Sequence, residues 1–109
     1  MELMHTETRE GFDIRLHFMP ERDDPADHFG GGKAEWAAAI ISRIDTGDLL
    51  WFMARVSAHR HGVELASDFL GACCYDSAED FIACDYYEDM VKNVICDARG
   101  MIVALAAGG

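Results

Sequence analysis

Hydrophobic and polar residues alternate near the start of the chain, and this pattern predicts a half-buried β-strand. Four apolar residues occupy every second position: Phe12, Ile14, Leu16 and Phe18. A period of two places them on one face of a strand. Pro20 is expected to end the strand, because proline lacks the N–H group that a sheet ladder needs. Residues 1–10, which come before this strand, are polar and are expected to be frayed.

The segment from Lys33 to Thr46 has the composition and spacing of an α-helix. Alanine, the residue with the highest helix propensity, occupies positions 34, 37, 38 and 39. Larger apolar residues form a stripe at helical spacing: Trp36, Ile40, Ile41 and Ile44. We expect this stripe to face the core and Gly47 to end the helix.

Two further strands are predicted between Asp48 and Tyr75. From Trp51 to Ala58, the apolar residues Phe52, Ala54, Val56 and Ala58 occupy every second position. Further apolar positions follow a polar break at residues 59–62. Gly62 can adopt the positive φ that a tight hairpin turn requires. Gly71, inside the return strand, indicates a bulge or a close approach of another part of the backbone.

The last third of the chain predicts two helices. Asp76 or Ser77 could cap a short helix that runs to about Ala83. Asp85 could cap a longer helix from Tyr86 to about residue 106. One apolar face is expected to run along this longer helix: Tyr87, Met90, Val91, Val94, Ile95, Ala98, Met101, Ile102 and Leu105.

Together these elements predict a single α+β domain over residues 1–109. Its small antiparallel sheet, of about three strands, would be covered on one face by two or three helices. A chain of 109 residues suits one domain with one hydrophobic core. The residues expected to be buried together are Phe12, Ile14, Trp36, Ile40, Ile44, Phe52, Val56, Leu65, Phe69, Val91, Ile95 and Ile102.

The charge of the chain limits its function. Twenty acidic residues against nine basic ones give a net charge of −11, although half of the residues are hydrophobic. The chain is therefore expected to fold rather than to behave as a disordered acidic tail. Such a surface disfavours direct binding to nucleic acid or to an anionic membrane. It suits either solubility alone or a basic partner, and these two interpretations stay open.

Most of the acidic residues lie in two regions. Residues 76–97 contain seven acids and one lysine, a net charge of −6. We predict that residues in this region contact a partner, with a tyrosine as an aromatic anchor: Asp80, Asp85, Tyr87, Glu88 and Asp89. A second patch is expected in residues 21–32, read as a mobile acidic loop because it contains three consecutive glycines. Its candidate contacts are Asp23, Asp24 and Asp27.

The candidate chemistry is sparse. The N-terminus lacks the basic and apolar regions of a signal peptide, so a cytoplasmic location and four free cysteines are expected. His59 and His61 could ligate zinc from one strand face. Their spacing matches no established zinc motif, so we expect two exposed residues at a hairpin tip and neither a metal nor another cofactor. No nucleophile elbow, phosphate-binding loop or zincin helix is present, and the expectation is a protein that is not an enzyme.

Three short segments resemble small uncharacterised proteins encoded on phages and plasmids of proteobacteria: residues 62–65, 68–75 and 86–90. In size and charge the chain is also similar to anti-CRISPR proteins, which act by binding an effector complex. This resemblance implies an inhibitor of a host nucleic-acid-processing complex, most concretely a CRISPR effector, that occupies a basic nucleic-acid channel. Two alternatives remain. One is an accessory or structural phage protein without a basic partner; the other is a small thiol or zinc protein that uses Cys73, Cys74 and the histidines.

Overall fold

The computed structural model describes residues 1–28 and 35–108 and has the predicted α+β fold. One antiparallel sheet contains four strands in the order β1-β2-β3-β4, so each strand pairs with the next strand along the chain. The elements are β1 (Glu2–Arg9), β2 (Phe12–Pro20), α1 (Pro25–His28), α2 (Glu35–Asp45), β3 (Leu50–Arg60), β4 (Val63–Tyr75), α3 (Ala78–Ile82) and α4 (Asp85–Gly108).

The N-terminal segment is an ordered strand, so the expectation that residues 1–10 are frayed was wrong. β1 pairs with β2 from Glu2 opposite Phe18 to Arg9 opposite Phe12. The strand was missed because its inward side chains, apart from Met4, are polar and have polar partners there, such as Tyr87 for Glu7, instead of forming an apolar stripe. The β1–β2 turn contains Glu10 and Gly11, both with positive φ, as a two-residue hairpin turn requires.

The predicted hairpin between β3 and β4 is confirmed. His61 and Gly62 occupy the turn with φ values of 53° and 78°. The irregularity indicated by Gly71 is also present, because the pairing register shifts between the Phe52–Cys73 and Ala54–Leu70 pairs. A bulge of this kind bends an edge strand and interrupts its ladder.

The core lies between the sheet and α4, which packs across β3 and β4. The buried strand residues on this face are Phe12, Ile14, Leu16, Phe18, Phe52, Ala54, Val56, Ala58 and Cys73. The buried α4 residues are Tyr87, Met90, Val91, Val94, Ile95 and Ala98. Phe81 of α3 closes one end of the core, where its ring packs edge-on against those of Phe52 and Tyr75 at centroid distances of 5.5 Å and 5.1 Å.

Six residues of the predicted core are confirmed as buried: Phe12, Ile14, Phe52, Val56, Val91 and Ile95. Leu65 and Ile102 are partly buried and pack against them. The apolar face of α4 is buried only as far as Ala98, since Met101 and Leu105 are 46% and 63% exposed. Arg99 bonds Glu10 in the β1–β2 turn, so the helix passes the end of the sheet at this point.

The predicted burial of Trp36 and Phe69 was wrong. Trp36 is 59% exposed, and Ala37 is the one buried residue in the described part of α2. Ile40 and Ile44 are only partly buried and lie outside the main core, because α4 already covers the inner face of the sheet. Phe69 pairs with Arg55 on the opposite face and is 51% exposed.

Two other segments differ from the sequence-based boundaries. The described part of the predicted 21–32 loop contains α1, whereas residues 29–32 lie outside the described residues. Lys33 and Ala34, predicted to begin the following helix, also lie outside them. That helix is described from Glu35 and ends at Asp45, two residues before Gly47 with its φ of 84°.

The burial of Ile95 and the exposure of Phe69 predict different costs of truncation. We expect Ile95→Ala to lower the free energy of unfolding by about 2–5 kcal/mol, because it leaves a cavity in the core. Phe69→Ala should cost about 1 kcal/mol or less, since it mainly removes the contact between that ring and the Arg55 guanidinium. Urea unfolding monitored by circular dichroism measures both. Equal costs would contradict the assignment of the two sheet faces.

Candidate functional site

The acidic residues of α3 and α4 are concentrated at the N-terminal ends of the two helices. Ser77 caps α3, where its hydroxyl oxygen accepts a hydrogen bond from the Asp80 backbone N–H at 3.2 Å. Asp80 lies in the first turn of α3, and Asp85 in the first turn of α4. Negative charges at these positions interact favourably with the helix dipole. Local helix stability therefore accounts for part of the acidic clustering.

Three exposed side chains define what we call the acidic helix surface: Asp85, Tyr86 and Asp89. Asp85 and Asp89 are four residues apart and lie on the same side of α4. Neither carboxylate forms an ion pair with another described residue. Tyr86 is 60% exposed beside them. Asp80, also exposed, lies on the neighbouring α3.

Tyr87, predicted to contact a partner, is instead a core residue. It is 1% exposed, and its hydroxyl donates a hydrogen bond to Glu7 Oε2 at 2.7 Å. Burial raises the pKa of Tyr87, and the bond to Glu7 raises it further. Consecutive helix residues point about 100° apart, so one of the two tyrosines had to be more exposed. Helical spacing places Tyr87 on the apolar face of α4 with Met90 and Val94, and its burial there is confirmed, so Tyr86 is the exposed tyrosine.

Glu88, another predicted contact, connects α4 to β1. Its carboxylate accepts a hydrogen bond from Arg9 Nη1, and Arg9 also bonds Glu7. The hydrogen bond from Arg9 lowers the pKa of Glu88. Burial raises the pKa of Glu7, but hydrogen bonds from Tyr87, His5 and Arg9 outweigh this effect and lower it. These contacts fix the first turns of α4 against the sheet.

The second predicted patch lies on the segment that leads into α1 and forms it. Asp23, Asp24 and Asp27 are exposed. The Asp24 carboxylate accepts a hydrogen bond from the Ala26 N–H at 3.0 Å, and the Asp23 carbonyl accepts one from Trp51 Nε1 at 3.0 Å. Trp51 alternates with a core residue along β3 and so points away from α4. The structure therefore does not join these three residues to the acidic helix surface.

The sheet face opposite α4 carries a group of polar residues, of which only His59 is among the candidates predicted from the sequence. We call it the polar sheet face: Asp13, Arg15, His17, Arg55, Ser57, His59 and Glu64. The pairing places His59 beside Asp13, Ser57 beside Arg15, and Arg55 beside His17. The signal was present in the sequence, because these β2 and β3 residues alternate with the predicted core positions.

Two histidines of the polar sheet face are in unusual environments. His59 is 7% exposed, and its Nε2 shares a hydrogen bond of 2.8 Å with Ser57 Oγ. His17 Nδ1 is buried without a hydrogen-bond partner among the described residues. Burial lowers the pKa of both histidines, and the positive charges of Arg15 and Arg55 lower it further.

The Ser57–His59 pair does not have the geometry of a nucleophile and its base. Ser57 is fully buried, so its hydroxyl is not accessible to a substrate. Glu64 lies 3.8 Å from His59 Nε2, the nitrogen that already contacts Ser57. In a catalytic triad, the acid instead orients the imidazole through its other nitrogen.

The histidines considered as zinc ligands do not share a strand face. His59 is buried in β3, contrary to the expectation that it is exposed, whereas His61 is exposed in the hairpin turn. Among residues 1–28 and 35–108, no group of three or more potential ligands is placed to hold a metal ion. The four cysteines are free; Cys73 is buried, and burial raises its pKa to about 11.

Comparison with known proteins adds no relative. A scan against protein-family models and searches of curated proteins and of solved structures found no match to this chain. Within the described part of the chain, no helix has both the length and the apolar character needed to span a membrane. A function is therefore inferred from the fold and from the chemistry of the surface.

The low pKa values of His17 and His59 predict a loss of stability in mild acid. Below about pH 6.5 these two histidines bind protons more readily in the unfolded chain than in the folded chain. The free energy of unfolding therefore falls as the pH decreases through this range. Urea unfolding at pH 8, 7, 6 and 5 measures the trend. We expect a shallower dependence in His17→Gln and in His59→Gln than in the unaltered protein. The same slope in all three proteins would contradict this assignment.

The environments of the cysteines predict an order of reaction. Thiol titration of the denatured protein without reductant should count four thiols, because all four cysteines are free. In the folded protein, exposed Cys96 should react with a disulfide reagent first and buried Cys73 last, since only the thiolate reacts. A count below four, or early modification of Cys73 located by mass spectrometry, would contradict this order.

Proposed function

We propose that this chain is a non-enzymatic binding protein whose acidic helix surface docks on the basic, nucleic-acid-binding surface of another protein. The observation that supports this most directly is the pair of exposed carboxylates, Asp85 and Asp89, beside the exposed ring of Tyr86. Carboxylates can occupy the positions of backbone phosphates and accept charge-assisted hydrogen bonds from arginine. The net charge of −11 would attract such a partner at long range and repel nucleic acid itself.

The anchoring of the first α4 turns favours this surface over the acidic segment near α1. Tyr87 bonds Glu7, and Glu88 bonds Arg9, so the helix is held in place before any partner arrives. A surface that is already ordered loses less conformational entropy on binding. Asp23, Asp24 and Asp27 form a secondary contact region in this proposal.

The most concrete partner is a CRISPR effector complex, with the protein occupying its nucleic-acid channel. The small size and acidic charge of the chain support this choice. In this proposal the inhibitor is carried by a mobile element and acts in the host cytoplasm. No catalytic role for a side chain is part of the proposal.

A second candidate is an accessory or structural protein that assembles with copies of itself. The end of α4 favours it: residues 100–107 carry no charged side chain, and Val103 and Leu105 are 68% and 63% exposed. In this case the acidic residues would serve only solubility and helix stability. Light scattering after size exclusion distinguishes the two functions, because the second requires a stable homo-oligomer and no other partner.

Charge reversal of the acidic helix surface tests the first proposal. We expect the double variant Asp85→Lys and Asp89→Lys to bind a purified CRISPR effector, or a basic partner captured from host lysate, at least about tenfold more weakly, because charge pairs at an interface can contribute several kcal/mol. Binding of the unaltered protein should also weaken as salt increases. Calorimetry at two salt concentrations measures both effects. Glu88 is left unchanged, since its reversal would break the contact with Arg9.

The matched control is the double variant Glu35→Lys and Asp45→Lys on α2. It makes the same change in net charge at two exposed residues that form no ion pair with another described residue. If both double variants bind as tightly as the unaltered protein, and salt has no effect, the acidic helix surface is not a docking site. If both weaken binding equally, net charge acts without a defined surface.

A further inference from the structure

A groove lies between the bulged edge of β4 and the first turn of α4. The described residues that line it are residues 70–75 and Tyr86, around a cavity of about 310 Å³. This volume is at the lower end of the range for small-molecule sites, so it suits one long side chain better than a large cofactor. Tyr86 belongs both to this groove and to the acidic helix surface.

The chemistry of the groove is suited to a cation with an apolar stem. Leu70 and the Tyr75 ring provide apolar lining, and no basic residue is among the lining residues. Asp85 and Asp89 carry their charges next to Tyr86 on α4. The face of an exposed tyrosine ring attracts a guanidinium group, and arginine packs its methylene groups on apolar surface while keeping its charged end near carboxylates.

The bulge makes the addition of a strand to this part of β4 unfavourable. The Ala72 N–H, which an added strand could otherwise use, already donates a hydrogen bond to Glu21 Oε2 at 2.6 Å. The Leu70 carbonyl accepts a hydrogen bond from Cys73 Sγ at 3.3 Å. Because these backbone groups have partners, a ligand in the groove would be recognised through its side chain rather than through a new ladder.

From these contacts we infer that the groove receives an arginine side chain from an extended basic segment of the partner. Its guanidinium group stacks on Tyr86 and faces Asp85 and Asp89, while its stem lies along residues 70–75. This inference rests on the proposed function and names the chemistry that the acidic helix surface recognises. Arginine is preferred to lysine because its planar group both stacks and forms paired bonds with carboxylates.

The test uses the full chain, labelled with ¹⁵N, and a ten-residue peptide of alternating serine and arginine. We expect the largest chemical-shift changes at the amides of residues 70–75 and Tyr86. Tyr86→Ala should weaken binding about tenfold, whereas Tyr86→Phe, which keeps the ring, should bind like the unaltered protein. A serine–lysine peptide of the same length should bind more weakly. Tyr86 is exposed, so neither variant should disturb the core.

Shift changes spread over all the acidic residues, or equal binding by Tyr86→Ala and the unaltered protein, would overturn the inference. The outcome can be separated from that of the proposed function. If charge reversal at Asp85 and Asp89 weakens partner binding but the peptide leaves residues 70–75 unchanged, the groove is wrong and the docking surface stands. If the peptide enters the groove but charge reversal does not affect partner binding, the groove stands and the proposed function is wrong.

Discussion

The packing of α4 across one face of the sheet is the interaction on which the rest of this structure depends. It buries the inward side chains of β2 and β3 against residues such as Val91, Val94 and Ile95. Because one long helix fills this face, α2 lies outside the main core and the opposite face of the sheet carries polar groups. The same packing fixes the start of α4, where the exposed carboxylates lie. The core and the candidate docking surface are therefore two sides of one helix.

The sequence predicted those elements that are determined by the pattern of their own residues. The period of two in β2 and the apolar face of α4 up to Ala98 each indicate a buried surface. Gly62 and Gly71 indicate local backbone geometry, and both predictions were confirmed. What the sequence could not reveal depends on distant partners. β1 has no apolar stripe, since Glu7 and Arg9 face α4 through hydrogen bonds, and only the folded chain brings those groups together.

The same distinction applies to the candidate site. The acidic composition of residues 76–97 indicated the region, but it did not separate exposed carboxylates from one that binds an arginine. Asp85 and Asp89 are exposed, whereas Glu88 contacts Arg9, although all three belong to the first two turns of one helix. For the tyrosines, helical periodicity identified the buried one, because Tyr87 lies on the apolar face of α4 and Tyr86 does not. Periodicity could not show that the Tyr87 hydroxyl has a hydrogen-bond partner in Glu7 of β1.

The order of the elements along the chain has a consequence for how this protein reaches its folded state. Each strand pairs with its neighbour in sequence, so β1–β2 and β3–β4 can form as local hairpins, whereas the pairing of β2 with β3 must close the segment from residue 21 to residue 49. The helix that covers the apolar face follows all four strands. During synthesis the apolar face of the sheet stays exposed until α4 has been made, and exposed apolar surface promotes aggregation. Repulsion between chains of net charge −11 opposes such association. The acidic composition can therefore limit aggregation of the nascent chain before it has any role in the folded protein.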